Sequence, residues 1–334
     1  MKKLLNNPIN VVDEMIDGYV KAHSDYIDQL DSNNRSLITK KADENRKVGI
    51  LVGGGSGHEP GFMGYVGQGM ADGVAVGNIF ASPSPDPILE VTKEIDKGSG
   101  VVYLYGNYAG DVMNFGMAAE SADLEEDIEV GIALATDDVA SSSKDKKEER
   151  RGIAGEFFIF KAAGAAADFG YNLEDVVRVA NKANDYTRSM GVGLTPCALP
   201  QTGEPSFEIG EDEMEIGLGH HGEAGIEKGK LTSADEVAER LVDDILADRP
   251  LQAGDEVAVL VNGLGSTPRM ELYIIYRKVQ QLLEELGVSI YRSYVGDFIT
   301  SLEMGGCSVT LMHLDEELKK AIDHPVDCPM FVQK

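Results

Sequence analysis

Apolar positions in this chain recur either with a helical period or in short unbroken runs, and the two patterns take turns. Between residues 9 and 22, Val11, Val12, Met15, Ile16, Tyr19 and Val20 fall on one side of a helix. Val48-Gly49-Ile50-Leu51-Val52 is a short apolar run bounded by glycine, the signature of a strand buried in a parallel sheet. Val101 to Tyr105 and Val130 to Ala135 repeat that signature, and each ends in a polar loop. The polar stretch 31–47 reads as a surface loop, and Gly61 to Val74 is small and mixed. Gly77 to Asp86 ends in alternating prolines, a turn ahead of a helix with Pro87 in its first turn. Ser141 to Arg151 reads as a surface loop, 153–168 as a buried helix rich in Ala and Phe, and Leu173 to Asp185 as an amphipathic helix.

Pro196, Pro200, Gly203 and Pro205 interrupt regular structure between Leu194 and Phe207, and the alternation then resumes. Ser233, with Glu236 three residues on, reads as a capping box opening a helix to Leu246. Strands follow over Val257–Asn262, Val288–Val295 and Ser308–Leu314, with helices over Met270–Leu286 and Asp315–Ile322. The expected fold is α/β in two domains, each a mixed β-sheet flanked by helices, with one domain over residues 1–188 and the other over 189–334.

Charge narrows the partners. The 334 residues carry 57 acidic against 30 basic side chains, a formal charge of −27, which repels phosphate backbones and anionic lipid. Nucleic acid and membrane are excluded as expected partners. No run approaches the roughly 18 apolar residues of a membrane span, and the amino terminus lacks a signal-peptide pattern. Cys197, Cys307 and Cys328 are odd in number and far apart, which fits a reducing, cytoplasmic setting and no structural zinc.

Candidate chemistry gathers at two glycine-rich segments. Gly53-Gly54-Gly55-Ser56-Gly57-His58-Glu59-Pro60 follows the first apolar strand, where open α/β sheets place ligands. Gly217-Leu218-Gly219-His220-His221-Gly222-Glu223-Ala224-Gly225 is the second. His58 lies against Gly57, and His220 and His221 compete as the ligand-facing histidine of the second segment. Asp111, after Gly110 at another strand's end, reads as a turn or cap residue or as a carboxylate that assists a histidine. A zinc site of these histidines with Asp111 would need both adjacent histidines on one metal, and no metal is expected. The first segment lacks the Lys-Ser/Thr of a phosphate-binding P-loop and the acidic partner of a dinucleotide fingerprint. Gly263-Leu264-Gly265-Ser266 reads as a structural turn.

Taken in order, Gly53–Pro60, Ser82–Asp86, Asn107–Asp111 with Asn114-Phe115, Arg150-Arg151-Gly152, His221-Gly222-Glu223 and Val261–Gly265 with Thr267-Pro268 resemble the dihydroxyacetone kinase family, in its ketose-binding K subunit. The resemblance implies that His221 bonds the substrate's ketone carbon as a covalent hemiaminal. It implies that His58 and Asp111 are acid/base residues on the substrate hydroxyls, and that Gly55, Ser56 and Gly57 contact the substrate. Gly106 stands where the family usually has a substrate-touching Lys, which points to a four-carbon ketose such as erythrulose beside dihydroxyacetone. His220 and Ala224 also depart from the family's usual apolar residue and Pro. The resemblance further implies a homodimer and a separate helical, L-type subunit that holds ADP or ATP with magnesium and is recharged by a phosphotransferase-system protein. This chain itself would carry no cofactor. A non-catalytic ketose sensor, acting as coactivator of a transcription regulator, is the alternative within the family.

Overall fold

The computed structural model describes residues 2–41 and 48–334. Contacts divide the chain into two compact units that interleave in sequence. The first holds residues up to 135 with 158–183 and 318–334, and the second holds 136–157 and 184–317. The chain therefore passes between units four times, where the sequence drew one boundary after 188.

The first unit is built on a six-stranded sheet of β1 (Ile27–Gln29), β2 (Ser36–Thr39), β3 (Gly49–Ser56), β4 (Gly73–Ile79), β5 (Val101–Gly106) and β6 (Val130–Ala135), in the order β1-β2-β4-β3-β5-β6. β3 runs parallel to β4 and β5, and β5 parallel to β6, while β1 and β2 join antiparallel at one edge. Ile50, Leu51 and Val52 are inaccessible to solvent, as the unbroken apolar run requires for a strand covered on both faces. Helices α1 (Val11–Ala22), α2 (Pro85–Ile95), α3 (Ala109–Glu126), α4 (Glu156–Asp168), α5 (Leu173–Tyr186) and α8 (Glu316–Asp323) accompany it, α4 and α8 each starting within the second unit's residues. The core joins Leu51, Val91, Tyr103 and Phe115. From Phe158 onward α4 is apolar nearly all round and buried, and its one cation, Lys161, is fully buried with Nζ donating to the His324 carbonyl at 2.7 Å.

The second unit has a sheet of β7 (Thr187–Thr195), β8 (Glu213–Ile216), β9 (Glu227–Lys230), β10 (Glu256–Gly263), β11 (Ser289–Gly296) and β12 (Gly305–Leu314), ordered β11-β10-β12-β7-β8-β9. Only β10 and β11 pair in parallel, joined through α7 (Arg269–Glu285). α6 (Ala234–Asp248) opens with the reciprocal Ser233–Glu236 capping box that the sequence announces. Leu241, Ile245, Val259, Leu272 and Val309 share its core.

The fold class is the expected one, with several local differences. Gly53 to Ser56 continue β3 and are not a loop, because the missing side chains of Gly53, Gly54 and Gly55 let neighbouring segments close on the strand. β2 lies inside the stretch 31–47 read as a surface loop, whose last six residues, 42–47, fall outside the described residues. β4 occupies residues that looked merely small, and β8 and β9 are too short and charged to announce themselves. Part of the supposed loop before Arg150 is a 3-10 turn over Lys144–Glu149.

A buried ion triad locks two parts of the second unit together. Asp248, at the end of α6, accepts from Arg150 Nη2 at 2.6 Å and Nη1 at 3.0 Å, and from Arg188 Nε on β7. Burial pushes the Asp248 carboxyl up, but the two guanidinium groups outweigh it and hold the carboxyl down at about 2. A depressed carboxyl contributes stability that is complete above its ordinary range and is lost as pH falls through the folded value. Asp248→Ala strands two buried cations, so it is expected to destabilise the protein by about 3–5 kcal/mol. Urea denaturation at pH 7 and at pH 3 measures this, with the wild-type advantage shrinking at the lower pH.

Candidate functional site

The strand order of the first unit fixes where a ligand can bind. The chain leaves β3 for β4 on one side and later returns to place β5 on the other. The carboxyl ends of β3 and β5 therefore flank the switch point of the parallel sheet, where connections diverge and leave a crevice. Gly55 and Ser56 end β3, Gly57 and His58 follow it, and Gly106 ends β5 shortly before Asp111 in the first turn of α3. Two sequence segments some fifty residues apart thus reach one crevice within one unit.

Each of these residues is held by its neighbours. A Cβ on Gly55 would lie 2.7 Å from the Ala81 backbone nitrogen, so only glycine allows this approach of strand to loop. Ser56 is buried and donates its hydroxyl to the Gly77 carbonyl at 2.8 Å. The chain then turns at Gly57, whose φ of +100° suits glycine, and its N–H donates to both Glu59 carboxylate oxygens at 3.1 Å. Burial holds the Glu59 carboxyl above its usual range despite that hydrogen bond. The His58 ring is buried, stacked on Phe80 with centroids 5.2 Å apart and meeting the edge of Phe62. Phe80 itself sits at φ +54°, a left-handed conformation costing a non-glycine residue roughly 1–2 kcal/mol. Asp111 is buried at the start of α3, where the helix dipole favours a carboxylate. Burial, and then the charge of Asp111, push the Tyr105 hydroxyl well above its ordinary value.

The second glycine-rich segment is the β8–β9 connection of the second unit. Ile226 N–H to the Ile216 carbonyl closes its neck at 2.8 Å, and Gly222 N–H to the Gly219 carbonyl tightens its tip. The two adjacent histidines differ sharply. His220 is buried, and its carbonyl accepts the Ser301 hydroxyl. The His221 side chain is 24% exposed and engaged by Glu223, whose Oε1 lies 3.1 Å from Nδ1 and whose Oε2 accepts the His221 backbone N–H at 2.9 Å. Burial pushes the Glu223 carboxyl up, yet the hydrogen bond and charge of His221, with a smaller share from Arg151, bring it down to about 2. A carboxylate on Nδ1 fixes a neutral imidazole with its proton there and its lone pair on Nε2.

The sequence reading took Glu223, two residues beyond His221, and Arg151 only as parts of family motifs and gave them no role in the site, and it gave Asp138 none. The available signal was the spacing, since a carboxylate at that distance can reach back to both ring and backbone. The metal-site reading finds no geometry, because among the described residues no three His, Cys, Asp or Glu side chains are grouped to hold an ion. No described helix is long and apolar enough to cross a membrane.

Comparison with known proteins places these features in a family. The Dak1 domain matches residues 17–330. The chain is 47% identical over 331 residues to the PTS-dependent dihydroxyacetone kinase 2 dihydroxyacetone-binding subunit DhaK of Listeria innocua, covering 99% of both chains. It is 43% identical to the D-erythrulose kinase of Mycolicibacterium smegmatis, covering 99% of this chain and 56% of that protein. Among solved structures, a dihydroxyacetone kinase operon co-activator, Dha-DhaQ, superposes with a TM-score of 0.90 at 30% identity, covering 96% of this chain and 98% of the other.

The contact at Gly55 gives a direct test. Gly55→Ala forces Phe80-Ala81 away from β3 and is expected to lower stability by about 1–3 kcal/mol. Urea denaturation followed by tyrosine emission measures it, and an unchanged midpoint would mean that the backbone yields without cost.

Proposed function

The chain belongs to the Dak1 domain family, and on that footing we propose that it is the ketose-binding subunit of a kinase of the dihydroxyacetone type. In this reading it holds a short ketose as a covalent hemiaminal and presents a terminal hydroxyl for phosphorylation. The observation that carries the reading is the engagement of His221 Nδ1 and backbone N–H by Glu223, which orients the ring and sets the tautomer whose lone pair, the one that would bond a carbonyl carbon, is on Nε2.

The chemistry follows from that arrangement. The Nε2 lone pair forms the C–N bond, and the carbonyl π pair moves onto oxygen, which takes up a proton. The imidazolium so formed is stabilised beside the Glu223 carboxylate until its Nδ1 proton passes to solvent, leaving a neutral hemiaminal. Only an aldehyde or ketone can react this way, so glycerol is rejected by chemistry and not merely by fit. His58 and Asp111 are assigned to the substrate hydroxyls, with the buried Asp111 as the group to accept a proton from the hydroxyl that attacks phosphorus. Gly55, Ser56 and Gly57 offer backbone to the substrate, and Gly106, without a side chain at the end of β5, leaves room for a fourth carbon. Much of the rate enhancement in phosphoryl transfer comes from positioning.

Nucleotide and magnesium are assigned to a helical partner subunit, with a phosphotransferase-system protein as the phosphoryl source, in keeping with the naming of the Listeria relative as a PTS-dependent binding subunit. A homodimer is the proposed state. The likeness to a named co-activator supports a second reading, a ketose sensor acting on a transcription regulator.

Three measurements test this. His221→Ala is expected to abolish the hemiaminal carbon signal of 2-13C-dihydroxyacetone by NMR, and persistence of that signal would remove the mechanism. The purified chain with ATP alone is expected to form no ketose phosphate, whereas adding the nucleotide-carrying subunit and its phosphoryl donor restores turnover; no turnover in the complete system favours the sensor. With that system, kcat/KM for erythrulose is expected to equal or exceed that for dihydroxyacetone, and strong preference for dihydroxyacetone would defeat the four-carbon assignment.

A further inference from the structure

We propose that Arg151 and Asp138 are positioning residues that act through Glu223 on His221, forming a line of alternating charge that sets how readily the imidazole bonds a carbonyl. This inference rests on the reading of His221 as the ketose-bonding residue and extends the site to two residues outside the glycine-rich loop.

The geometry is continuous within the second unit. Arg151 donates from Nε to Asp138 Oδ2 at 3.0 Å, and its Nη2 lies 2.9 Å from the same oxygen. Its Nη1 faces Glu223 Oε2 at 3.7 Å, and Glu223 in turn holds His221. Asp138 is 1% exposed and accepts the Ala140 N–H at 3.1 Å, so the far end of the line is fixed to backbone. Arg151 is pinned at its own backbone, where its N–H donates to Ser141 Oγ at 3.0 Å. A Cβ on Gly219 would lie within 2.4 Å of Arg151 Nη1 and closer still to Glu223 Oε2, so the loop passes directly over the ion pair and any larger residue there would displace these side-chain ends.

Among the described residues, the other charged and titratable groups about this loop are Asp137 beside Asp138, His220 on the loop itself, Glu215 of β8, which accepts Gly225 N–H, and Lys228 of β9, which faces Glu215. Burial pushes Asp138 up to about 6, and the charge of Arg151 works against that rise.

The sign of each change follows from Coulomb's law. Removing the Arg151 cation leaves Glu223 to attract a proton onto His221 unopposed, which favours imidazolium and withholds the lone pair until higher pH. Removing the Asp138 charge frees Arg151 to act on Glu223, which disfavours imidazolium and moves the transition to lower pH. Hemiaminal formation with 2-13C-dihydroxyacetone, followed by NMR across pH 5–9 (about two units either side of neutrality), reads both. Arg151→Met is expected to move the acid midpoint up and Asp138→Asn to move it down, each by roughly half a unit or more, with Arg151→Lys restoring most of the wild-type profile. Weaker binding at every pH with an unmoved midpoint, or shifts in the same direction, would overturn the proposal. Should Arg151→Met fail to fold, Asp138→Asn decides alone, by a downward shift or none. His221→Ala separates the two claims: an adduct that survives it defeats the ketose-bonding role, while loss of the adduct together with wild-type midpoints in the other variants defeats only the line of charge.

Discussion

A strand parallel to neighbours on both sides cannot be connected to either by a hairpin, and β3 is such a strand. The crossover leaving β3 goes to β4 on one side and the crossover leaving β5 goes to β6 on the other, and that divergence at their carboxyl ends is what opens a crevice. The candidate residues of the first unit, His58 and Asp111 with Gly55, Ser56, Gly57 and Gly106, sit at this opening. The glycines of β3 serve it by close approach and not by looseness: Gly55 admits the Phe80-Ala81 backbone, and that same backbone, in a left-handed conformation at Phe80, delivers the ring that stacks on His58. Packing and placement of the imidazole are one event here.

The second unit solves a different problem by electrostatics. Its sheet is mostly antiparallel, with one parallel pair, and His221 is held on a short loop between β8 and β9 whose side chains are engaged by charge. Asp138, Arg151, Glu223 and His221 alternate in sign or polarity across three chain segments. Nearby, Asp248 between Arg150 and Arg188 uses the same device for stability alone. The adjacent arginines 150 and 151 thus point to separate carboxylates and serve separate ends. In a chain with nearly two acids per base, committing both to buried acids shows how the scarce cations are distributed.

Much of the architecture was legible in the sequence because burial writes a simple code. Covered strands β3, β5 and β10 appear as unbroken apolar runs, and α6 declares its start through Ser233 and Glu236. What escaped was structure stabilised by context. β4 consists largely of small residues whose meaning lies in what packs on them, and β8 and β9 are short, charged and paired at a sheet edge. The glycine run looked like a loop because propensity disfavours glycine in strands, yet tertiary contact overrides that preference. His58, Asp111 and His221 stood out through their glycine neighbours, whereas Arg151 and Asp138 lay in a stretch of ordinary surface composition. Their partners are brought near by β7 and β8, which no local pattern could reveal.

The interleaving of the units bears on biosynthesis. Residues 318–334 belong to the first unit, and the carbonyl of His324 is what Lys161, a cation sealed inside that unit, donates to. A ribosome reading from the amino end makes residues 2–135 of the first unit early, but the carbonyl of His324 that Lys161 donates to emerges only with residues 318–334. The crevice-bearing unit therefore gains that segment only after residues 184–317, which carry His221, have been synthesised.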